Sequence, residues 1–95
     1  MSALHHVSMG LDAREHWAQL RQVIDGGDVL VLLDAATEDL PAIADWKRGL
    51  ALELRWVIPQ IAVLPGMTVP PGIELIDDRQ WWQLIAAHES LLEWS

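Results

Sequence analysis

Gly26–Asp34 reads Gly-Gly-Asp-Val-Leu-Val-Leu-Leu-Asp, and this stretch decides the fold class. Its five consecutive aliphatic residues, Val29 to Leu33, show no polar alternation, so the segment cannot be a strand with one face in water. An unbroken apolar run between glycines and acids is typical of a strand buried on both faces of a parallel sheet. The run is too short for a membrane span. We therefore predict a central strand of an α/β sandwich.

Further strands and helices are predicted on both sides of this strand. The predicted strands are Ala3–Ser8, Val29–Leu33, Leu52–Ile58 and Ile73–Asp77, with helices starting near Asp12, Pro41 and Asp77 or Asp78, and Leu91–Ser95 as a tail. The order β-α-β-α-β-loop-β-α predicts a three-layer α/β/α sandwich with a mainly parallel sheet of four to five strands.

Two local signals set the ends of the first helix, and two more mark the later helices. Asp12 and Glu15 have the spacing of a capping box, and Gly26-Gly27 is expected to end the first helix. Pro41 suits the first turn of the second helix. Asp77 or Asp78 is expected to cap the last helix.

The composition indicates a single domain, residues 1–95, without a thiol of its own. Apolar residues make up 52% of the 95 residues, which argues against disorder. The absence of cysteine excludes a disulfide, a thiolate metal site and a sulfur-carrying thiol. A net charge of −8 opposes direct nucleic-acid binding. Without a membrane-length apolar run or a signal-peptide pattern, we expect a soluble cytoplasmic protein with no membrane contact.

The polar side chains form no catalytic or metal-binding motif. His5 and His6 are neighbours in a predicted strand, so they point to opposite faces and do not form a ligand pair. His16 and His88 lie on separate predicted helices. Ser8, which could take His5 or His6 as a base, lacks the G-x-S-x-G context of a nucleophile. We therefore predict no catalytic residue, no cofactor and no metal ion.

Two polar residues at predicted strand ends remain candidates for a binding site. Ser8 follows the first strand and Asp34 follows the central one, where open α/β sheets usually bind ligands. Asp34 has the alternative role of capping the following turn. A small-ligand site at Ser8 and Asp34 is therefore one hypothesis for function.

Six tryptophans are more than a domain of this size easily buries. Protein interfaces are enriched in tryptophan, which combines a large apolar body with an N–H donor. On the predicted last helix, Trp82 lies to the side of the apolar stripe that includes Trp81. The candidates for a partner interface are Trp17, Trp46, Trp82 and Trp94.

Several short motifs, in this order, resemble the TusB/DsrH family of sulfur-relay proteins. They are Leu4-His5, Leu20-Arg21, Gly27-Asp28 with the run into Leu32-Leu33, Ile73-x-Leu75-Ile76-Asp77, His88 in a short last helix, and Trp94. The resemblance covers essentially the whole chain. It implies a DsrE/DsrF/DsrH-like fold and a place in a cytoplasmic heterohexamer with sister DsrE/DsrF-like (TusD/TusC-like) subunits. Self-association of the isolated chain is a further hypothesis.

The resemblance implies a non-catalytic subunit of a sulfurtransferase complex that supports 2-thiolation of the transfer RNA wobble uridine. The alternatives are a DsrH-like subunit in dissimilatory sulfur oxidation and an independent small-ligand binding domain. Dsr-branch members can carry a cysteine in the first helix, and the region His16–Leu20 has none, which favours the Tus-like role. The family often reads Gln-Asp-Gly-Val after the central strand; here only Asp34 of that motif is present.

Overall fold

The stretch that decides the fold forms the middle strand of a five-stranded parallel sheet. The computed structural model describes residues 2–95. The strands are β1 (Leu4–Val7), β2 (Val29–Leu32), β3 (Arg55–Pro59), β4 (Ile73–Ile76) and β5 (Leu91–Trp94). Their order across the sheet is β4-β3-β2-β1-β5, and every neighbouring pair is parallel. All four residues of β2 are buried, which confirms the predicted central strand.

Helices cover both faces of this sheet, so the predicted three-layer α/β/α sandwich is confirmed. The α-helices are α1 (Arg14–Val23), α2 (Leu40–Arg48) and α3 (Asp78–Ala87), and short 3₁₀ turns occupy Asp34–Thr37 and Gln60–Ala62. Helices α1 and α2 pack on one face, and α3 is the one helix on the other within residues 2–95. The two faces are called below the α1/α2 face and the α3 face.

Alternate residues of β2 supply the core on the two faces. Leu30 and Leu32 pack against the side chains of α1 and α2, whereas Val29 and Val31 pack against Leu84 of α3. Each such fully buried side chain contributes about 1.5–3 kcal/mol of hydrophobic free energy. A strand with this pattern needs helices on both sides, which is why the apolar run specifies a three-layer fold.

The predicted limits of α1 are wrong at both ends. The helix starts at Arg14 after Ala13, with no side-chain cap, because the turn before it supplies carbonyl acceptors instead: Ala13 N–H donates to Gly10 (3.1 Å) and Arg14 N–H to Asp12 (2.9 Å). The helix ends at Val23, before the glycines. Directly after the helix, the backbone N–H of Asp25 donates to the carboxylate of Asp28 at 3.1 Å. This hydrogen bond competes with a helical one to a backbone carbonyl.

Two strands also differ from prediction. β3 begins at Arg55 instead of Leu52, because its buried part is the unbroken run Trp56–Pro59 and not the alternating residues before it. The predicted tail Leu91–Ser95 contains β5, which pairs with β1 over its whole length. Strand pairing gives this segment the surface that its apolar side chains need.

The starts of α2 and α3 are confirmed. Asp39 accepts the N–H of Ala42 at 3.3 Å, and Pro41 lies in the first turn of α2. At α3, Asp77 and Gln80 form a reciprocal capping box: each side chain accepts the other residue's backbone N–H, at 2.8 and 2.9 Å. None of the helices within residues 2–95 has the length and apolarity needed to span a membrane.

Candidate functional site

Ser8 and Asp34 follow neighbouring parallel strands at the carboxyl edge of the sheet. The N–H of Leu33 donates to the carbonyl of Val7 at 2.9 Å, which joins the ends of β2 and β1 directly before these two residues. Ser8 is half-buried and Asp34 is exposed. The structure thus brings the two candidates to one edge, and their role as a ligand site stays a prediction.

Asp34 has an unusual backbone conformation at this edge of the sheet. Its φ of 48° is left-handed, a region that residues other than Gly, Asn and Asp rarely adopt. The Thr37 hydroxyl donates to the Asp34 carbonyl at 2.7 Å and closes the 3₁₀ turn. Such a conformation costs on the order of 1 kcal/mol and is often found at binding sites. It keeps Asp34 as a candidate, with the turn closed by Thr37 rather than by the Asp34 carboxylate.

A buried polar network joins β5, β1 and the residue before β2. Asp28 accepts hydrogen bonds from the N–H groups of Ala3 (2.8 Å) and Asp25 (3.1 Å) and from His5 Nε2 (2.9 Å). The Trp94 indole N–H donates to His5 Nδ1 at 3.1 Å. Because Nδ1 must accept, this network assigns the His5 proton to Nε2. His5 is therefore a neutral bridge between an indole and a carboxylate.

The pKa of Asp28 reflects this environment. Burial alone would raise it, but the hydrogen bonds from Ala3, His5 and Asp25 outweigh burial and hold the pKa of Asp28 below its ordinary value. The carboxylate therefore stays ionised at neutral pH inside the fold. With His5 completely buried and both its ring nitrogens engaged, the network fixes strands together and is not placed to activate Ser8.

His6 lies on the opposite side of the sheet from His5, as predicted. Its Nε2 accepts the Trp81 indole N–H of α3 at 3.1 Å, and the rings meet edge to face with centroids 5.7 Å apart. Burial lowers the pKa of His6, and the nearby carboxylate of Glu93 offsets part of this effect. His6 is thus a half-buried acceptor that links α3 to β1.

Sequence reasoning missed both histidine networks. Each joins residues that are far apart in the chain, so neither has a local motif. The available signal was an acid, Asp28, directly before a strand with no solvent-exposed face, together with His5 in a neighbouring predicted strand. A buried ionised group needs hydrogen-bond partners, so this pairing could have been proposed once the strand order was assumed.

The four tryptophans predicted at a partner interface have different environments. Trp17 is 2% exposed; its N–H donates to the Gly10 carbonyl at 2.8 Å, so it belongs to the core and offers little surface. Trp46 and Trp94 are half-buried. Trp82 is 69% exposed. Of the four, Trp82 offers the largest surface to a partner, and the interface itself stays a prediction.

Trp82 belongs to an exposed apolar patch at one end of the α3 face. Ile61, 76% exposed, lies across a depression of about 340 Å³ that Trp81, Trp82, Ile85 and Asp78 also line. Two large apolar side chains in water beside one concave surface are unusual for a small soluble domain and often mark a binding site. These five residues are called the Trp82 patch below.

The class of protein follows from these observations: an α/β/α sandwich with an all-parallel five-stranded sheet. No group of three or more His, Cys, Asp or Glu side chains in this part of the chain could hold a metal ion. No protein-family model matches the chain, and no curated protein matches it significantly.

Proposed function

We propose that this chain is a non-catalytic subunit of a cytoplasmic, hetero-oligomeric sulfurtransferase complex that supports 2-thiolation of the transfer RNA wobble uridine. Its partners in this proposal are sister subunits of similar α/β fold, of the DsrE/DsrF (TusD/TusC) kind. The resemblance to the TusB/DsrH family supplies the pathway, and the surface of the chain supplies the argument for assembly.

The observation that carries the proposal is the Trp82 patch. An exposed tryptophan beside an exposed isoleucine is the kind of anchor that dominates the binding energy of protein interfaces. Asp78 at its border adds a polar group, as interface borders commonly do. A concave apolar surface with these residues supports a role in binding another protein.

The chemistry of sulfur transfer supports a non-catalytic role within such a complex. A persulfide is carried on a cysteine thiolate, and this chain has no cysteine. The carrier thiol therefore belongs to a sister subunit in this proposal. A net charge of −8 likewise assigns contact with transfer RNA to another component.

Mass measurement of the complex tests the proposal. The chain is co-expressed with the sister subunits of its native host, and the purified assembly is weighed by native mass spectrometry. We expect a hetero-oligomer that contains all three chains. A chain that stays monomeric beside soluble sister subunits would overturn the proposal.

A pair of variants tests the part played by the Trp82 patch. Trp82→Ala removes an interface anchor, and we expect association to weaken by about thirtyfold, the effect of losing a 2 kcal/mol hot spot. Val23→Ala on α1, 48% exposed in the wild type, is the matched control for loss of an exposed apolar side chain. Equal effects of the two variants would remove the patch from the interface.

The pathway is tested separately in cells. Deleting the gene is expected to abolish 2-thiouridine at the wobble position of the substrate transfer RNAs, measured by mass spectrometry of digested RNA. Unchanged 2-thiouridine together with impaired sulfur oxidation would instead support the DsrH-like role.

The small-ligand alternative has one observation in its favour. A cavity of about 420 Å³ opens at the carboxyl edge of the sheet, between the start of α2 and the loop Leu64–Thr68. Its polar side chains are those of Thr37, Glu38 and Thr68, and it is lined by neither Ser8 nor Asp34. A thermal midpoint raised by nucleotides or small acids would support this alternative, whereas no shift across such a panel would leave it without support.

A further inference from the structure

We infer that the groove between α1 and α2 binds an acidic segment of a partner polypeptide. The groove has a volume of about 280 Å³ and is lined by Leu11, Arg14, Trp17, Ala18, Arg21 and Trp46. It lies on the α1/α2 face, across the sheet from the Trp82 patch. This inference rests on the proposed role as a subunit and names the chemistry of a second contact.

Charge is the first argument. The chain has 14 acidic and 6 basic residues, yet within residues 2–95 no carboxylate lies within the 4.0 Å ion-pair distance of Arg14 or Arg21. One N–H of Arg21 donates to the Gly49 carbonyl at 3.3 Å, which leaves the other guanidinium donors free for a ligand. Two arginines that are unpaired in a strongly acidic chain indicate an anionic partner.

Spacing is the second argument. Arg14, Trp17, Ala18 and Arg21 follow the i, i+3, i+4, i+7 pattern, so they share one side of α1. The two arginines are two helical turns apart, about 10.5 Å along the axis. One small anion cannot contact both. An extended peptide places side chains i and i+4 on the same side about 13 Å apart, a separation that two flexible arginines can reach.

The groove floor is the third argument, because it is apolar. The half-buried Trp46 packs edge to face on Trp17, with ring centroids 4.8 Å apart, and Leu11 and Ala18 complete the surface. This floor lies between the two arginines and suits an apolar side chain at position i+2 of the same extended segment. The complementary pattern is acid-x-apolar-x-acid.

Size and charge favour a polypeptide over other anions. Small-molecule sites usually enclose about 300–1,000 Å³, so this groove lies at the lower limit of that range. A net charge of −8 opposes a nucleic acid, because the chain as a whole repels a phosphate backbone. A protein segment brings only two carboxylates and one apolar side chain.

Titration with a model peptide tests the inference. The probe is the acetylated, amidated peptide ESLSE, and the readout is the indole N–H resonance of Trp46 in the intact chain. We expect binding with a dissociation constant of about 1 mM, the affinity of a few contacts. The peptides ESSSE and KSLSK and inorganic phosphate at equal ionic strength are the comparison ligands, and each is expected to bind at least about tenfold more weakly.

Charge variants locate the binding. Arg14→Glu with Arg21→Glu is expected to abolish the peptide-induced shift, and the neutral pair Arg14→Gln with Arg21→Gln is expected to weaken binding about tenfold. Arg79→Glu, an exposed arginine of α3 outside the groove, is the control and should bind as wild type does. Equal shifts with phosphate, or unchanged binding in both groove variants, would overturn the inference.

The outcomes separate this inference from the proposed function. Suppose that the complex with the sister subunits forms, that it also forms with both groove variants, and that no peptide binds. This result contradicts only the inference about the groove. Peptide binding in the groove by a chain that never joins those subunits contradicts only the proposed function.

Discussion

His5 and His6 are adjacent in β1 and face opposite sides of the sheet, so they allow a direct comparison of the two sides. Both accept an indole N–H, from Trp94 and Trp81 respectively, at the same distance of 3.1 Å. On the α1/α2 face, His5 is completely buried and also bonds to Asp28. On the α3 face, His6 is half-buried and bonds to Trp81.

The difference follows from how much each face is covered. Two helices on the α1/α2 face exclude water, so a buried imidazole there needs a partner for each nitrogen. One helix on the α3 face leaves part of the sheet in water, which can replace a lost partner. The same hydrogen bond should therefore matter more on the first face than on the second.

Removing Asp28 should give the largest effect. Asp28→Ala leaves His5 Nε2 and the N–H groups of Ala3 and Asp25 without their acceptor, and we expect the free energy of unfolding to fall by about 3–4 kcal/mol. Urea unfolding followed by circular dichroism measures this change. Asp25→Ala, an exposed acid in the same turn, is the control and should cost less than about 0.5 kcal/mol. Similar losses in the two variants would contradict the network.

Matched substitutions of the two indoles compare the faces directly. Trp94→Phe and Trp81→Phe each remove one N–H donor and a similar volume. We expect Trp94→Phe to cost about 1–2 kcal/mol, because His5 Nδ1 loses its partner in a dry site. Trp81→Phe should cost less than about 1 kcal/mol, because water can reach His6. If both variants lose the same free energy of unfolding in urea, helix coverage of the face does not determine the cost of losing the hydrogen bond.

The pH dependence should separate the two faces as well. Burial lowers the pKa of His6, so the unfolded chain takes up a proton near pH 6.5 that the folded chain resists. Stability should therefore fall as the pH drops from about 6.5 toward the lowered pKa of His6. The pKa of Asp28 is also lowered, but for an acid this means that its contribution is lost only below about pH 4.

A conservative variant tests whether His6 causes the loss of stability that begins near pH 6.5. His6→Gln keeps an acceptor for Trp81 and removes the titration, so the fall in stability as the pH drops below about 6.5 should shrink. The Trp81 indole N–H resonance should move with pH in this window, while that of Trp17, bonded to the Gly10 carbonyl, should stay constant. A wild-type pH profile in the variant would exclude His6 as the cause.

The parts of the fold that could be predicted are those specified by neighbouring residues. Val29–Leu33 has no polar alternation, and Asp77 or Asp78 directly precedes the apolar stripe of the last helix, so the central strand and the start of α3 were predicted correctly. The end of α1 was wrong because the side chain of Asp28, outside the helix, takes a backbone N–H there. β5 was missed because its partner β1 lies more than 80 residues earlier in the chain.

The candidate site divides in the same way. Trp82 was expected beside the apolar stripe of its helix from spacing alone, and it is exposed. Ser8 and Asp34 were placed at strand ends by the predicted strands before them. The pairing of His5 with Asp28 needed the strand register, because 23 residues separate them. Local patterns thus located surfaces and strand ends, whereas the buried polar contacts depended on tertiary structure.

The smallest effect is expected on the uncovered part of the α3 face. Arg55 and Glu74 form a bidentate ion pair there, with N–O distances of 2.9 and 3.1 Å. Both side chains are roughly half exposed. The pair's hydrogen bonds lower the pKa of Glu74 and raise that of Arg55. Water screens such a pair, so Glu74→Gln should cost less than about 0.5 kcal/mol, and the difference should vanish in about 1 M salt.

Glu53→Gln, an exposed acid with no ion pair within residues 2–95, is the control for the change of net charge. A loss above about 1.5 kcal/mol for Glu74→Gln that persists in salt would mean that water does not reach the pair. The α3 face would then not be open to water at β3 and β4, contrary to the comparison made above. A small, salt-sensitive loss instead leaves this part of the sheet free for another chain to cover at little cost in stability.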